Sequence, residues 1–163
     1  MLKRYTNKEI NKIRRDIFTE VIEPAFLEQG FTKSEHNFSQ YDYVPGIGYI
    51  YELFKSIENN KLVRISVKII NKEQTIKISL NIFDDNPNSI EFALQELNDR
   101  EERLDIGFLK TIPLLSPRFW FGCYKVPRYS LGSEKKIEKL KSRLKKDIGN
   151  INYYINQWLN IHK

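Results

Sequence analysis

Residues 48–82 read GYIYELFKSIENNKLVRISVKIINKEQTIKISLNI, from Gly48 to Ile82, and this run decides the fold. Asn59-Asn60 and Lys72-Glu73 stand where two tight hairpin turns would sit, so three antiparallel strands are expected. Pairing Glu58 with Lys61 sets Phe54 opposite Ile65 and Ile50 opposite Ile69. Pairing Asn71 with Gln74 sets Ile69 opposite Ile76 and Val67 opposite Ile78. In this register one face carries Ile50, Phe54, Val63, Ile65, Val67, Ile69, Ile76, Ile78, Leu80 and Ile82, an apolar surface that must be covered. The other face displays Tyr49, Tyr51, Leu53, Lys55, Arg64, Ser66, Lys68, Lys77, Ser79 and Asn81. A further strand from about Asn37 to Val44, joined through Pro45-Gly46-Ile47-Gly48, is expected on the Tyr49 edge. The aromatic run from Phe119 to Tyr124 has the composition of a fifth strand.

Outward from the strands the period changes from two to 3.6. Ile10, Ile13, Ile17 and Val21, widened by Phe18, predict an amphipathic helix over 7–22. Pro24 should kink it or open a short second helix, and Gly30 is placed to end it in a left-handed cap. Asn88 or Ser89 can cap a helix after Pro87 whose stripe is Ile90, Leu94 and Leu97. At the C-terminus Ser133 is expected as a cap, followed by Ile137, Leu140, Leu144, Ile148, Ile151, Ile155 and Leu159 on one stripe. Gly149 interrupts that stripe and marks a bend. The elements predict an α+β protein in which an antiparallel sheet of four or five strands is packed on one face by the N-terminal and C-terminal helices.

The 163 residues suit a single α+β domain, and 40% hydrophobic content is enough to close one core. No apolar stretch reaches the roughly 18 residues of a membrane span, and Met1-Leu2-Lys3-Arg4-Tyr5 leads into a polar helix, so a cytoplasmic protein is expected. One cysteine, Cys123, and two histidines, His36 and His162, leave too few soft ligands for a zinc or haem site. No metal and no cofactor are expected.

The net charge of +6 favours anionic partners, although abundant Ile, Lys and Asn also fit an AT-rich genome. The charge is segregated. Residues 84–105 hold eight acids against two arginines, a net of −6, whereas residues 133–146 hold seven cations against two acids, a net of +5. The plain structural interpretation is two solvated helix faces that partly complement one another.

Catalytic signatures are missing from the sequence. Gly46-Ile47-Gly48 lacks the third glycine and the following helix of a dinucleotide-binding loop, and there is no phosphate-binding loop, nucleophile elbow or metal-binding histidine pair. Cys123 is expected to be a small buried residue among aromatics. Asp84-Asp85 are expected to be turn residues, with magnesium ligation as the other use of adjacent acids. Glu52 is the exception worth following, since the register above puts it on the apolar face between Ile50 and Phe54, opposite Val67. A carboxylate there must be paired, protonated or lining a cavity; Tyr41 or Tyr43 could hold it, and a raised pKa could make it a general base.

Val21-Ile22-Glu23-Pro24-Ala25-Phe26-Leu27-Glu28-Gln29-Gly30-Phe31-Thr32-Lys33, followed by Phe38 and by Tyr49-Ile50-Tyr51-Glu52-Leu53-Phe54-Lys55-Ser56, resembles a bacterial family of unknown function, number 4304 in the domain-of-unknown-function series. The resemblance covers roughly the first 70 residues. It departs at Phe54, where the family shows a Gln-Lys-Ser-like triplet. It implies a small bacterial protein and no assigned activity, so no functional residue is carried over.

These observations set the functional expectation: a non-catalytic module that binds another protein, of which an immunity- or antitoxin-like inhibitor is one concrete form. The alternative is a nucleic-acid-binding protein. Its site would be either the basic and aromatic sheet face formed by Tyr49, Tyr51, Lys55, Arg64, Lys68 and Lys77, or the basic C-terminal helix from Lys135 to Lys146.

Overall fold

A computed structural model describes residues 2–33, 40–58, 60–84 and 123–161. The protein is an α+β fold whose described residues form a five-stranded antiparallel sheet in the order β1 (Tyr41–Val44), β2 (Gly48–Ile57), β3 (Lys61–Ile70), β4 (Thr75–Asp84) and β5 (Cys123–Lys125). β5 begins at Cys123 and pairs Ile76 with Tyr124 on the open side of β4. The expected helix over 88–104, most of the 107–132 stretch, Asp85, His36 and His162 lie outside the described residues.

Helix α1 (Asn7–Ile17) starts with a capping box. The Thr6 hydroxyl accepts from Glu9 N–H, and the Glu9 carboxylate accepts from Thr6 N–H. A π-helical turn (Phe18–Ile22) joins α1 to α2 (Glu23–Glu28). The wider turn has a clear cause. Pro24 has no N–H, and Glu23 N–H reaches back five residues to the Phe18 carbonyl, so the chain absorbs the proline by one extra residue instead of a sharp kink. Gly30 then ends the helical segment at φ 88°.

At the C-terminus α3 (Ser133–Gly149) and α4 (Ile151–Ile161) are separated at Asn150, one residue past the bend expected at Gly149. The expected cap at Ser133 is displaced. Gly132, in the left-handed region, takes the N-cap position, and the Ser133 hydroxyl is buried against the Tyr5 hydroxyl at 2.8 Å.

The β3–β4 register is the one expected, with Val67 opposite Ile78 and Lys68 opposite Lys77. The β2–β3 register is not. Ile57, and not Glu58, pairs with Lys61, so Phe54 lies opposite Arg64, Leu53 opposite Ile65 and Ile50 opposite Lys68. The turn therefore spans three residues and places Asn60 at φ 52°, a conformation that asparagine tolerates. A slip of one residue inverts every side chain of β2.

The core consequently uses different β2 residues from those expected. Tyr51 and Leu53 join Val63, Ile65, Val67, Ile69, Ile76, Ile78, Leu80 and Tyr124 beneath Ile10, Ile17, Phe18, Ile22 and Phe26 of the N-terminal segment. Leu140, Leu144, Ile148, Ile151 and Ile155 close it from the C-terminal helices. Each fully buried aliphatic side chain contributes about 1.5–3 kcal/mol. The second face is also buried through the middle of the sheet: Ile50, Phe54 and Leu62 are covered, as are Glu52, Arg64 and Ser66. No helix among the described residues is long and apolar enough to cross a membrane.

Candidate functional site

The register shift dismantles the expected binding face. Tyr49, Tyr51 and Lys55 point to the helix side, whereas Arg64, Lys68 and Lys77 project from the opposite side. Tyr51 is buried and stacks on Phe18 with ring centroids 3.8 Å apart, and burial raises the pKa of its hydroxyl. The Arg15 guanidinium covers the Tyr49 ring at 4.1 Å. Lys55 donates to the Gln29 carbonyl at 2.6 Å and to Asn152 Oδ1 at 3.0 Å, tying the end of α2 to α4 across the sheet edge. Lys77 opposes Lys68, as expected, and Glu73 offsets the like charges with an ion pair to Lys77 of 3.0 Å. These six residues do not form one surface.

Glu52 is buried, but on the second face and opposite Ser66, because the register moves it there. Arg64 donates to one carboxylate oxygen, and the Gln40 N–H donates to the other at 2.9 Å. The expected tyrosine partners are elsewhere: Tyr41 donates to Glu23 at 2.5 Å, and burial first, then that carboxylate, raises its pKa. Both Glu52 oxygens accept from a cation or an amide, the pairing that a buried carboxylate needs. Among the described residues no group of His, Cys, Asp and Glu is gathered as a metal site would need.

The basic C-terminal helix is the expected site that survives as a surface. Leu140, Leu144 and Ile148 face inward, and Lys135, Lys136, Lys139, Arg143 and Lys146 are all exposed. At 3.6 residues per turn these five fall within a sector of about 100° and span about 16 Å of helix. Glu134 and Glu138 lie outside that sector. Lys141 lies on the other flank of the buried stripe and is paired with Glu20 at 2.8 Å, which docks α3 on the π-helical turn. Among the described residues none of the five makes an ion pair. Two contacts orient the stripe beside β5: the Tyr124 hydroxyl donates to Asp147 at 3.0 Å, and the Arg143 guanidinium lies 4.9 Å from the Tyr124 ring centroid.

A second concentration of side chains lies at the β1 edge, where Tyr41, Tyr43, Tyr49 and Tyr51 form a run of stacked and edge-on rings. Lys33 sits 3.9 Å from the Tyr41 ring centroid, and Tyr43 is 47% exposed. In the sequence Tyr41 and Tyr43 stand out only as partners for Glu52. Arg15 carries no signal in the sequence, since an arginine just off an apolar stripe gains its meaning only when the helix is docked. Compared with known proteins, the chain matches no family model, no curated protein and no solved structure.

Proposed function

We propose that the protein is a non-catalytic module that binds nucleic acid along α3, with Lys135, Lys136, Lys139, Arg143 and Lys146 against the sugar-phosphate backbone. The observation that carries this reading is an exposed, acid-free sector of five cations without ion pairs among the described residues. Like charges gathered on one helix face repel one another, and a polyanion removes that repulsion while releasing its counterions. The composition also separates the possible partners. Protein interfaces are depleted of lysine at their centres, and this stripe is four lysines to one arginine. The test is fluorescence anisotropy of a labelled oligonucleotide over a salt series. Affinity that falls steeply with salt and is abolished by Lys135→Glu/Lys139→Glu/Lys146→Glu supports the reading, and salt-independent affinity or an unaffected variant removes it.

The β1 edge supports a second reading, a module that binds another protein, of which an inhibitor of the immunity or antitoxin kind is one form. Tyrosine beside arginine is the composition of interface hot spots, and Tyr43 and Tyr49 with Arg15 supply it. Stoichiometric recovery of a partner protein from native cytosol, resistant to nuclease and lost in Tyr43→Ala, would favour this reading over the first. The single cysteine and the AT-rich composition fit a bacterial cytoplasm for either.

A further inference from the structure

The basic surface continues beyond α3. Lys136 is shared between the helical stripe and a groove of about 590 Å³, whose other walls are Lys125, Pro127, Arg128 and Tyr129. Arg128 in turn is shared with a smaller groove of about 380 Å³ where Arg4 joins it. Among the described residues, the charged side chains lining both grooves are all basic. Among the described residues Arg4, Lys125, Arg128 and Lys136 make no ion pair, and all four are exposed.

The frame around these side chains is well tied. Val126 N–H donates to the Gln74 carbonyl at 3.0 Å, and the Gln74 amide returns a bond to the Val126 carbonyl at 2.5 Å. On the other side Tyr5 N–H donates to the Arg128 carbonyl and Ser130 N–H to the Lys3 carbonyl, each at 2.9 Å. This antiparallel clasp sets Arg4 directly opposite Tyr129, so their side chains leave the backbone on the same side. Tyr129 is 44% exposed, an aromatic ring held at the mouth of a cationic groove.

The larger groove is within the range of about 300–1,000 Å³ that accommodates a small organic ligand. A duplex keeps its bases inside the stack and presents only backbone to such a concavity. A single strand can splay a base onto an aromatic ring while its phosphates meet the surrounding cations. We infer that this groove seats an unpaired base of a single-stranded nucleic acid against Tyr129, with the flanking phosphates held by Arg4, Lys125, Arg128 and Lys136. The inference rests on the nucleic-acid reading above and specifies the form of nucleic acid that the surface selects. The strand runs from the Arg4 clasp through the groove onto the α3 stripe.

The test is anisotropy at low salt with labelled oligo-deoxythymidine, an abasic strand of the same length and a duplex. Wild-type protein prefers the oligo-deoxythymidine, Tyr129→Ala weakens that binding roughly tenfold or more, and Tyr129→Phe restores it. The abasic strand and the duplex bind the wild type and Tyr129→Ala alike. Thermal melts of the variants check that each folds, and the half-exposed ring makes a folding defect in Tyr129→Ala separable from the binding loss. Equal affinity for single strand and duplex, with Tyr129→Ala unchanged and the α3 triple variant defective, would overturn the groove while leaving the α3 reading intact. No binding of any oligonucleotide, or displacement by an oligo-glutamate peptide at equal charge concentration, would overturn both.

Discussion

Arg64 on β3 donates to the Glu52 carboxylate on β2, and neither side chain meets solvent. Twelve residues separate them in sequence, and the three-residue hairpin turn brings them to one face of the sheet. Removing one member leaves the other charge buried without that partner, which costs about 3–5 kcal/mol. Arg64→Met should therefore lower the urea-denaturation free energy by about that amount. Glu52→Leu/Arg64→Met, which removes both charges, should cost distinctly less than either single change. A double variant as unstable as the sum of the singles would show that the pair is not coupled.

Gly48 opens β2 at φ 141°, and a Cβ there would stand 2.2 Å from the Ile69 carbonyl oxygen. The same close approach lets Asn71 N–H donate to the Ile47 carbonyl at 2.8 Å. Gly48→Ala must move backbone against backbone where β1, β2 and the end of β3 meet. It should cost about 3 kcal/mol or more, in the range reserved for strain at a special backbone position. Gly46→Ala, with nothing within 4 Å of its added Cβ, should be affected only through its own φ of 79° and cost about 1–2 kcal/mol. Chemical denaturation of the two variants side by side checks the difference.

Glu9 is held well below the usual carboxylate range, at about 2, first by its bond to Lys3 and then by the Thr6 backbone and hydroxyl. A depressed folded-state pKa favours the folded chain fully above the ordinary value of 4.5, and that contribution is lost as pH falls through about 2. The α1 amide protections should therefore weaken between pH 4.5 and about 2 in wild-type protein. Glu9→Gln should remove this part of the acid limb, and NMR titration of the Glu9 carboxyl reads the pKa directly.

Five exposed cations on α3 make a quantitative claim about salt. For a single strand the slope of log K against log salt is about −0.7 per phosphate contact. Replacing Lys135, Lys139 and Lys146 with Gln should flatten that slope by about 2. A slope unchanged by the triple substitution would place the contacts elsewhere on the protein.

The second hairpin, the N-terminal and C-terminal helical stripes and the Pro24–Gly30 helix end were legible because each rests on local chemistry: turn residues, a 3.6-residue apolar period and two backbone specialists. The β2 register was not. Ile50, Tyr51, Leu53 and Phe54 are all buried, so β2 has apolar side chains on both faces and offers no clean alternation by which to choose one. With the register went the candidate sheet site, since one residue of slip sends Arg64, Lys68 and Lys77 to the side opposite Tyr49, Tyr51 and Lys55.

What the amino-acid sequence determined alone is the kind of protein: an antiparallel sheet closed by helices at both ends, with cationic charge concentrated on one helix. These follow from composition and short-range periodicity, which act within a few residues. Only the tertiary structure decided that Glu52 meets Arg64, that Lys55 is spent on Gln29 and Asn152, and that Arg4, Lys125, Arg128 and Lys136 gather around Tyr129. Those groupings join residues up to 132 positions apart. Packing and strand register bring them together, and both are properties of the closed core as a whole that no local stretch of the chain encodes.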